Sequence, residues 1–483
     1  KTAQTKPLEC LSCRNGSLIS KRKRVTIKTA PHNKLRNAYK FLNDLKKAVA
    51  DAGVVGAGGA GFPTQFKFNE GLDTLVINGA ECEPLIFSDY YIMKKEMEQM
   101  LDGAEQVIEA MGLKIGYLGI KEHTAERLGF THGQKLSKHV EVHVLPNVYP
   151  MGDEIILIYE VTKRIVAPGS LPFTQGVIVS NVETLYNVSN AVKGIPVTDK
   201  YVTIGGKVSD RARKVVKVPI GIPVSELFDY LGVVVPADCV VLDGGPAMGK
   251  IIDPKTYHIT KTTKSFLILP EDIPAITGKT TDPSNMVRRS SSTCCQCSMC
   301  TDMCPRALIG YPLKPHKIVR TVNGQITSNP QDYLVASVCS SCGVCELTAC
   351  CQGISPRTVY AQVKASLAKN GLRYQHDGSE LHADPDREYR MLPSDRFMAR
   401  IGVAPYDIMP ELTGVIDFKA TSISMPMRQH VGKPASPAVN VGDTVKVGDL
   451  IGKAADGISA NIHATVNGVV TAVSEQGVEI KCS

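Results

Sequence analysis

Apolar positions along this chain change their period from segment to segment, and each period predicts a different element. In LRNAYKFLNDLKKAVADAG, the residues Leu35, Ala38, Phe41, Leu42, Leu45 and Val49 recur at helical spacing, which predicts an amphipathic helix ending at Gly53. The run from Thr74 through Leu75, Val76 and Ile77 to Asn78 predicts a buried strand. From YVTIGGKV at residue 201 through VPIGIPVSELFDYLG to VVLDGGPAMG, short apolar runs, one helical segment and a Gly-rich loop predict a small mixed unit. The C-terminal stretch, from SMPMRQHVGKP through VNVGDTVKVGDLIG to ATVNGVV, alternates apolar and polar residues between Gly-Asp turns, which predicts a β-sandwich. No apolar run approaches the roughly 20 residues that a membrane helix needs, so no membrane span is expected.

Cysteine placement adds chemistry to this outline. Cys294, Cys297, Cys300 and Cys304 lie in CCQCSMCTDMCP, and Cys339, Cys342, Cys345 and Cys350 lie in CSSCGVCELTACC. Three cysteines two residues apart, with a fourth before a proline, is the bacterial ferredoxin run, whose thiolates hold 4Fe-4S clusters. In two-cluster ferredoxins the fourth cysteine ligates the other cluster. Cys294, Cys297, Cys300 and Cys350 are therefore expected at one centre, and Cys339, Cys342, Cys345 and Cys304 at the other. The second run departs from the pattern, with four residues between Cys345 and Cys350 and with Cys351 where proline is usual, so Cys351 is an alternative to Cys350. Zinc held by paired Cys-x-x-Cys units is the structural rival. Cys295 sits at the wrong spacing and reads as a spare thiol. The Cys10-x-x-Cys13 pair is open between a ligand set completed by a partner, a redox pair and chance.

A length of 483 residues suggests about three domains. The opening residues KTAQTKPLEC lack the apolar core of a signal peptide, and thiol-rich chains of this kind suit a reducing compartment, so a cytoplasmic location is expected. The chain starts at lysine, which leaves room for a missing native N-terminus. The formal charge is +8; two oxidised centres at about −2 each lower it to about +4. Basic residues cluster at Lys21, Arg22, Lys23 and Arg24, but the chain has no Trp and no aromatic platform beside them, so nucleic-acid binding is not expected.

The glycines of GAGGAGFPTQFKF satisfy G-x-G-x-x-G at Gly56, Gly58 and Gly61. Such a loop lets backbone N–H groups approach an anion. A dinucleotide fingerprint follows a strand, whereas this loop follows a helix and precedes the strand at 74–78, so the usual Rossmann unit is disfavoured even though Glu81 mimics its ribose-binding acid. Four blocks in fixed order are more specific: GAGGAGFPT, NGAECEP at 78–84, YPMGDE at 149–154 and VSNVETL at 179–185. Together they resemble the flavin- and NADH-binding subunit of respiratory complex I. They look still more like its relatives, the RnfC subunits of ion-pumping ferredoxin:NAD oxidoreductases and the PduS cobalamin reductases of propanediol-utilisation microcompartments. The resemblance covers about residues 49–483.

That resemblance implies that Gly56, Gly58, Gly59, Gly61 and Lys67 lie at the FMN loop, with Asn78, Glu81, Gly152, Asp153 and Asn181 around the flavin. It places Phe62, by stacking, and Glu83, by hydrogen bonding, at the nicotinamide nucleotide, with Glu154 on the nucleotide side. The bland alternative is that Phe62 and Pro63 pack a tight loop. Ala57 stands where complex I has arginine, and Ala80 replaces an aspartate of its flavin pocket, which shifts the likeness towards the RnfC-like branch.

The implied architecture is a multi-domain α/β and β protein. A basic extension (1–44) precedes a complex-I-like FMN/NADH-binding domain (45–198), an SLBB β-grasp domain (199–275), a ferredoxin-like domain with two 4Fe-4S clusters on short helices (285–365), a linker or wrapping arm (366–415) and a barrel-sandwich domain (416–483). The last resembles lipoyl-type modules but lacks a carrier lysine, so it reads as structural; its terminal position is that of the PduS branch. The implied activity is electron transfer from NADH through FMN and the clusters, reducing cob(III)alamin or cob(II)alamin for an adenosyltransferase or a cobalamin enzyme. The SLBB unit is a candidate corrinoid site or a spacer, and no Asp-x-His-x-x-Gly stretch marks base-off binding. The alternative is an RnfC-like subunit passing electrons between NADH and a ferredoxin or another redox protein; a third is a scaffold whose clusters only hold a fold. Partners implied by the resemblance include a microcompartment shell protein, and the microcompartment interior is an alternative location.

Overall fold

The computed structural model describes residues 32–324 and 329–483. The Cys10/Cys13 pair and the basic cluster at 21–24 lie outside the described residues, as do the side chains of Leu35 and Ala38.

Helix α1 (His32–Asp51) buries Leu42, Leu45 and Val49. Phe41 lies about 100° round the helix from Leu42 and is 42% exposed, so it falls off the stripe that the spacing predicts. There follow β1 (Thr74–Asn78), α2 (Ser88–Lys95), α3 (Met97–Met111), β2 (Ile115–Lys121), α4 (Glu122–Leu128), β3 (Val140–Leu145), β4 (Val148–Tyr149), α5 (Glu154–Thr162), β5 (Val177–Asn181) and α6 (Val182–Val192). Strands β3-β2-β1-β5 form a parallel sheet in that order. Helices cover both faces, which is why β1 is an unbroken apolar run rather than an alternating one. Leu75 and Ile77 point into the core shared with α1, α3 and α6, while Val76 points into the core of α5. The chain steps from β1 to β2 and β3 on one side, then returns to place β5 on the other. The crevice at the carboxyl ends of β1 and β5 is therefore the topological switch point, where open α/β sheets bind ligands.

A second, mixed sheet is built from β6 (Asp199–Gly206), β7 (Lys214–Pro219), β8 (Cys239–Asp243), β9 (Lys250–Ile252) and β10 (Ser265–Pro270), with α7 (Val224–Leu231) packing Leu227, Phe228 and Leu231 inward. The cysteine-bearing segment consists of short helices, α8 (Pro274–Thr280), α9 (Pro283–Thr293), α10 (Met299–Asp302), α11 (Pro315–Gly324), α12 (Gln331–Leu334) and α13 (Pro356–Lys369). Its apolar residues Ile309, Tyr311, Ile318, Val359 and Tyr360 share one core with Val76, Ile155 and Leu157. One face of the parallel sheet is thus the floor on which the cysteine segment sits.

Residues 370–415 run back over both sheets and carry α14 (Arg387–Arg390), β11 (Leu392–Pro393), α15 (Ser394–Ile401) and β12 (Glu411–Val415). β11 pairs with β4, and β12 adds to the edge of the second sheet beside β7. The C-terminal strands, β13 (Ser422–Pro426), β14 (Ser436–Pro437), β15 (Thr444–Val445), β16 (Leu450–Lys453), β17 (Ile462–His463), β18 (Gly468–Val473) and β19 (Gly477–Cys482), form two antiparallel sheets, β13-β19-β18-β15 and β14-β16-β17. Burial alternates along β13 and β19, as the sequence pattern predicts for a sandwich. Among the described residues no helix is long and apolar enough to cross a membrane.

Candidate functional site

The glycine-rich loop starts where α1 ends and closes on itself, the Gly56 N–H donating to Phe62 O at 2.9 Å. The Ala57 N–H donates to Thr184 Oγ1 at 3.0 Å, which pins the loop to the first turn of α6 at the switch-point crevice. Gly58, Gly59 and Ala60 are exposed. Glycine is required at two of these positions. A Cβ on Gly58 would stand 2.8 Å from Asn181 Nδ2, and Gly61 has φ +72° with Thr262, Gln429 and His430 against its flank. Bare backbone therefore faces the carboxyl ends of β1 and β5, a cradle that fits the phosphate-bearing end of a flavin nucleotide.

The strand-end residues tie the crevice together. Asn78 Nδ2 donates to Gly152 O at 3.0 Å, and its Oδ1 accepts from the Ala80 N–H at 3.2 Å. Gly152 is closely packed, since a Cβ there would meet Ala80 O at 2.6 Å. Asn181 caps α6 by accepting from the Glu183 N–H, and its Nδ2 donates to Asp89 Oδ2 at 2.8 Å. Lys67 Nζ donates to Val179 O at 3.0 Å and lies 3.5 Å from Glu154 Oε1, so its ammonium is held beside β5. Phe62 is half-buried and meets Phe66 edge to face.

Three acids expected here are already engaged. Glu81 accepts from Ser88 Oγ and from the Asp89 and Tyr90 N–H groups at the start of α2, and burial with the neighbouring Asp89 pushes its carboxyl up to about 7. Glu83 accepts from the Ala247 and Met248 N–H groups at 2.9 and 3.0 Å, so its carboxylate anchors the Gly-rich loop of the second sheet; burial raises its pKa. Asp153 caps α5 and receives two hydrogen bonds from Arg306 Nη2, at 2.9 and 3.2 Å.

Beneath the loop lies a charge network that the sequence pattern does not single out. Lys200 meets Glu183 at 2.5 Å, and Lys264 meets both Glu183, at 3.1 Å, and Asp89. Burial works against the Lys264 ammonium, but Asp89 and Glu183 hold it well above the ordinary lysine value. The only local signal was Glu183, inside the block VSNVETL; Lys200 and Lys264 come from strands of the other sheet and its connections.

The cysteines of the two runs gather at two small cavities. Cys294, Cys297, Cys300 and Cys350 line one small cavity together with Cys295 and Cys351. Cys304, Cys339, Cys342 and Cys345 line another. The two runs therefore exchange their fourth cysteines. Sharp reversals bring the thiols inward, with positive φ at Gln296, Ser298, Ser341 and Gly343. The extra residue between Cys345 and Cys350 is taken up in a wide π-type turn, Cys345–Ala349. Cys351 is exposed in the same cavity with Cys295 and Cys297, 3.9 Å from the Cys297 sulfur, whereas Cys350 is half-buried. Burial and the neighbouring thiols push Cys300 and Cys304 up to about 12 and raise Cys342 and Cys345 as well. The thiols converging on each cavity are the donor set that a 4Fe-4S group takes.

Two contacts join this segment to the crevice. Arg306 bridges Asp153 to Val338 O at 2.8 Å, and the Tyr149 hydroxyl donates to Cys342 O at 2.7 Å while lying 3.5 Å from Glu83.

A family model described as the Nuo51 FMN-binding domain matches residues 49–190, one described as a 4Fe-4S dicluster domain matches 293–355, and one described as the RnfC barrel sandwich hybrid domain matches 416–481. The chain is 36% identical over 440 residues to cobalamin reductase PduS of Salmonella typhimurium, covering 91% of this chain and 96% of that protein. It is 30% identical to a component of the Na+-translocating ferredoxin:NAD+ oxidoreductase complex of Acetobacterium woodii, over 54% of this chain and 57% of that one. Among solved structures, an NAD+-reducing [NiFe]-hydrogenase aligns with a TM-score of 0.42 and 18% identity, over 72% of this chain and 66% of that chain.

Proposed function

We propose a function from the family, because the chain belongs to that of the PduS cobalamin reductases and the related RnfC-type subunits. It is an oxidoreductase of the FMN and iron–sulfur type. Its electron donor is NADH and its acceptor the cobalt of cobalamin, free or held by an adenosyltransferase or cobalamin enzyme. A bound FMN accepts two electrons as hydride and releases them singly, and 4Fe-4S groups carry one electron each.

In this reading the chain's own residues bind and position. Gly56, Gly58, Gly59 and Gly61 supply unobstructed backbone to the flavin phosphate, and Lys67 adds a positive charge beside it. Asn78, Gly152 and Asn181 hold the walls of the crevice through their mutual hydrogen bonds. Phe62 and Glu154 border the nicotinamide side. Glu81 and Asp153 act through α2 and α5, whose first turns they cap, and Glu83 fixes the 244–249 loop. Cys294, Cys297, Cys300 and Cys350 hold one cluster; Cys304, Cys339, Cys342 and Cys345 hold the other. Residues 199–275 are the SLBB unit, and a microcompartment shell is the surrounding that the PduS relatives suggest.

The observation that carries this reading is that both sulfur groups stand on the same core as the face of the sheet bearing the crevice. Anaerobic titration of the FMN- and iron-reconstituted protein with NADH should bleach the flavin and then the clusters, and added cob(III)alamin should give the cob(II)alamin spectrum. Bleaching without corrinoid reduction rejects the acceptor and favours a protein acceptor; absent bleaching rejects the donor.

A further inference from the structure

We propose that the Cys294, Cys297, Cys300 and Cys350 group is the electron outlet of the protein, and that its basic mouth docks the acidic face of a one-electron acceptor protein. The inference rests on reading both sulfur groups as cluster sites, and it adds their order and the chemistry of the docking partner.

The order follows from what each group touches. Cys342 is tied through its carbonyl to Tyr149, which lies against Glu83, and Arg306, two residues beyond Cys304, reaches Asp153. The second group is thus joined twice to the segments that wall the crevice. Hydrogen bonds at the first group close within the cysteine-bearing segment itself: Gln296 Nε2 donates to His316 O at 2.9 Å and to Cys294 Sγ at 3.1 Å, and Thr301 Oγ1 meets His316 Nδ1 at 2.6 Å. Exposure points the same way. Each group buries one thiol, Cys300 and Cys345, but Cys297 of the first group is exposed beside Cys295 and Cys351, the three sulfurs within 4.8 Å of one another, and no cysteine of the second group is exposed.

The rim of this mouth is positively charged. Arg289 reaches to 4.0 Å from the Cβ position of Gly353, next to Cys351 and Gln352. Lys314 and Lys317 flank His316, which lines the cavity, and Asp302 is the acid that also acts on that imidazole. Arg289, Lys314, Lys317 and Asp302 are all exposed, so among the described residues these three cations and one carboxylate stand near the mouth, a positive excess at the surface in front of the about −2 of the oxidised centre behind it. Charges in solvent are too screened to act strongly on a buried group, but they orient an approaching charged surface. The exposed sulfurs of Cys295, Cys297 and Cys351 line this mouth, and Met299, next to Cys300 in sequence, is 44% exposed. Each NADH oxidised to NAD+ and a proton yields two electrons, so two acceptor molecules are reduced, one electron each.

Native cytochrome c, which is basic, and succinylated cytochrome c, which is acidic, serve as probes sharing one haem protein with opposite surface charge. The reconstituted protein should reduce the succinylated form at least about tenfold faster at low salt, with the advantage shrinking as ionic strength rises. Combining Arg289→Glu, Lys314→Glu and Lys317→Glu should reverse the preference and abolish binding of succinylated cytochrome c measured without NADH, leaving iron content and flavin bleaching unchanged. Cys297→Ala should slow reduction of the succinylated form at least about tenfold while NADH still bleaches flavin. Equal or faster reduction of native cytochrome c by the unaltered protein, or a Cys297→Ala variant at full rate, overturns the proposal even if the charge-reversed variant fails to fold. Those failures occur in a protein that contains iron; a reconstituted protein without iron instead refutes the cluster reading itself.

Discussion

Replacing Arg306 with leucine tests whether the sulfur segment is bolted to the crevice by charge. Arg306 and Asp153 are 18% and 9% exposed at their side chains, and the guanidinium also donates to Val338 O. Removing one partner of a buried pair costs about 3–5 kcal/mol, because the other is left charged and unpaired. Asp153 keeps its two α5 amide donors at 3.1 and 3.3 Å, which places the expected cost at the lower end, about 3 kcal/mol or roughly a 160-fold change in an equilibrium. Arg306→Leu, Asp153→Asn and the double variant form a cycle, read by denaturant unfolding followed through the absorbance of the bound chromophores. The double variant should be less destabilised than the sum of the singles by about 1.5–3 kcal/mol. Additivity within about 0.5 kcal/mol would refute the bolt.

Cys300→Ala should lose roughly half of the iron while NADH still bleaches the flavin; loss of all flavin reduction contradicts the assigned positions. Gly58→Ala drives a methyl group to 2.8 Å from Asn181 Nδ2 and should weaken FMN binding at least about tenfold by fluorescence titration, whereas unaltered affinity removes the loop from the cradle. Lys261 is fully buried, donates to Gly53 O and Asn461 O at 2.7 Å each, and burial pushes its ammonium down to about 7 from 10.5. Between those values the unfolded chain binds the extra proton, so this lysine makes stability rise with pH from about 7 to 10, by at most about 1.4 kcal/mol per unit because two carbonyls also favour the charged form. Lys261→Met should flatten that slope in unfolding measurements at pH 7, 8 and 9, and an unchanged slope counts against it.

Much of this was legible in order along the chain. Burial of Leu42, Leu45 and Val49 on α1, the run of β1 and the alternation of β13 and β19 follow from local periodicity, and the meeting of each run's fourth cysteine with the other run's cavity follows from their spacing. Local patterns could not show that Lys264 and Lys200 lie beneath the glycine loop, since they are 81 and 17 residues from Glu183. Nor could they show β12 completing the second sheet, because an exposed edge strand with a mid-strand glycine carries no apolar period. Glu83 illustrates a subtler gap. Its motif carries no sign of the amides that it accepts from, which belong to Ala247 and Met248, more than 160 residues away in sequence.

The grip on Gly61 has a consequence for biogenesis. Its carbonyl accepts from the Val431 N–H, Gln65 donates to Ser459 O, and Gln429 and His430 press on its flank. A nascent chain emerging from the ribosome therefore cannot complete this grip on the glycine loop when the parallel sheet is made; it must wait until about residue 460 has been synthesised. Truncation within the final module therefore removes the contacts that hold Gly61 and Gln65 from that side.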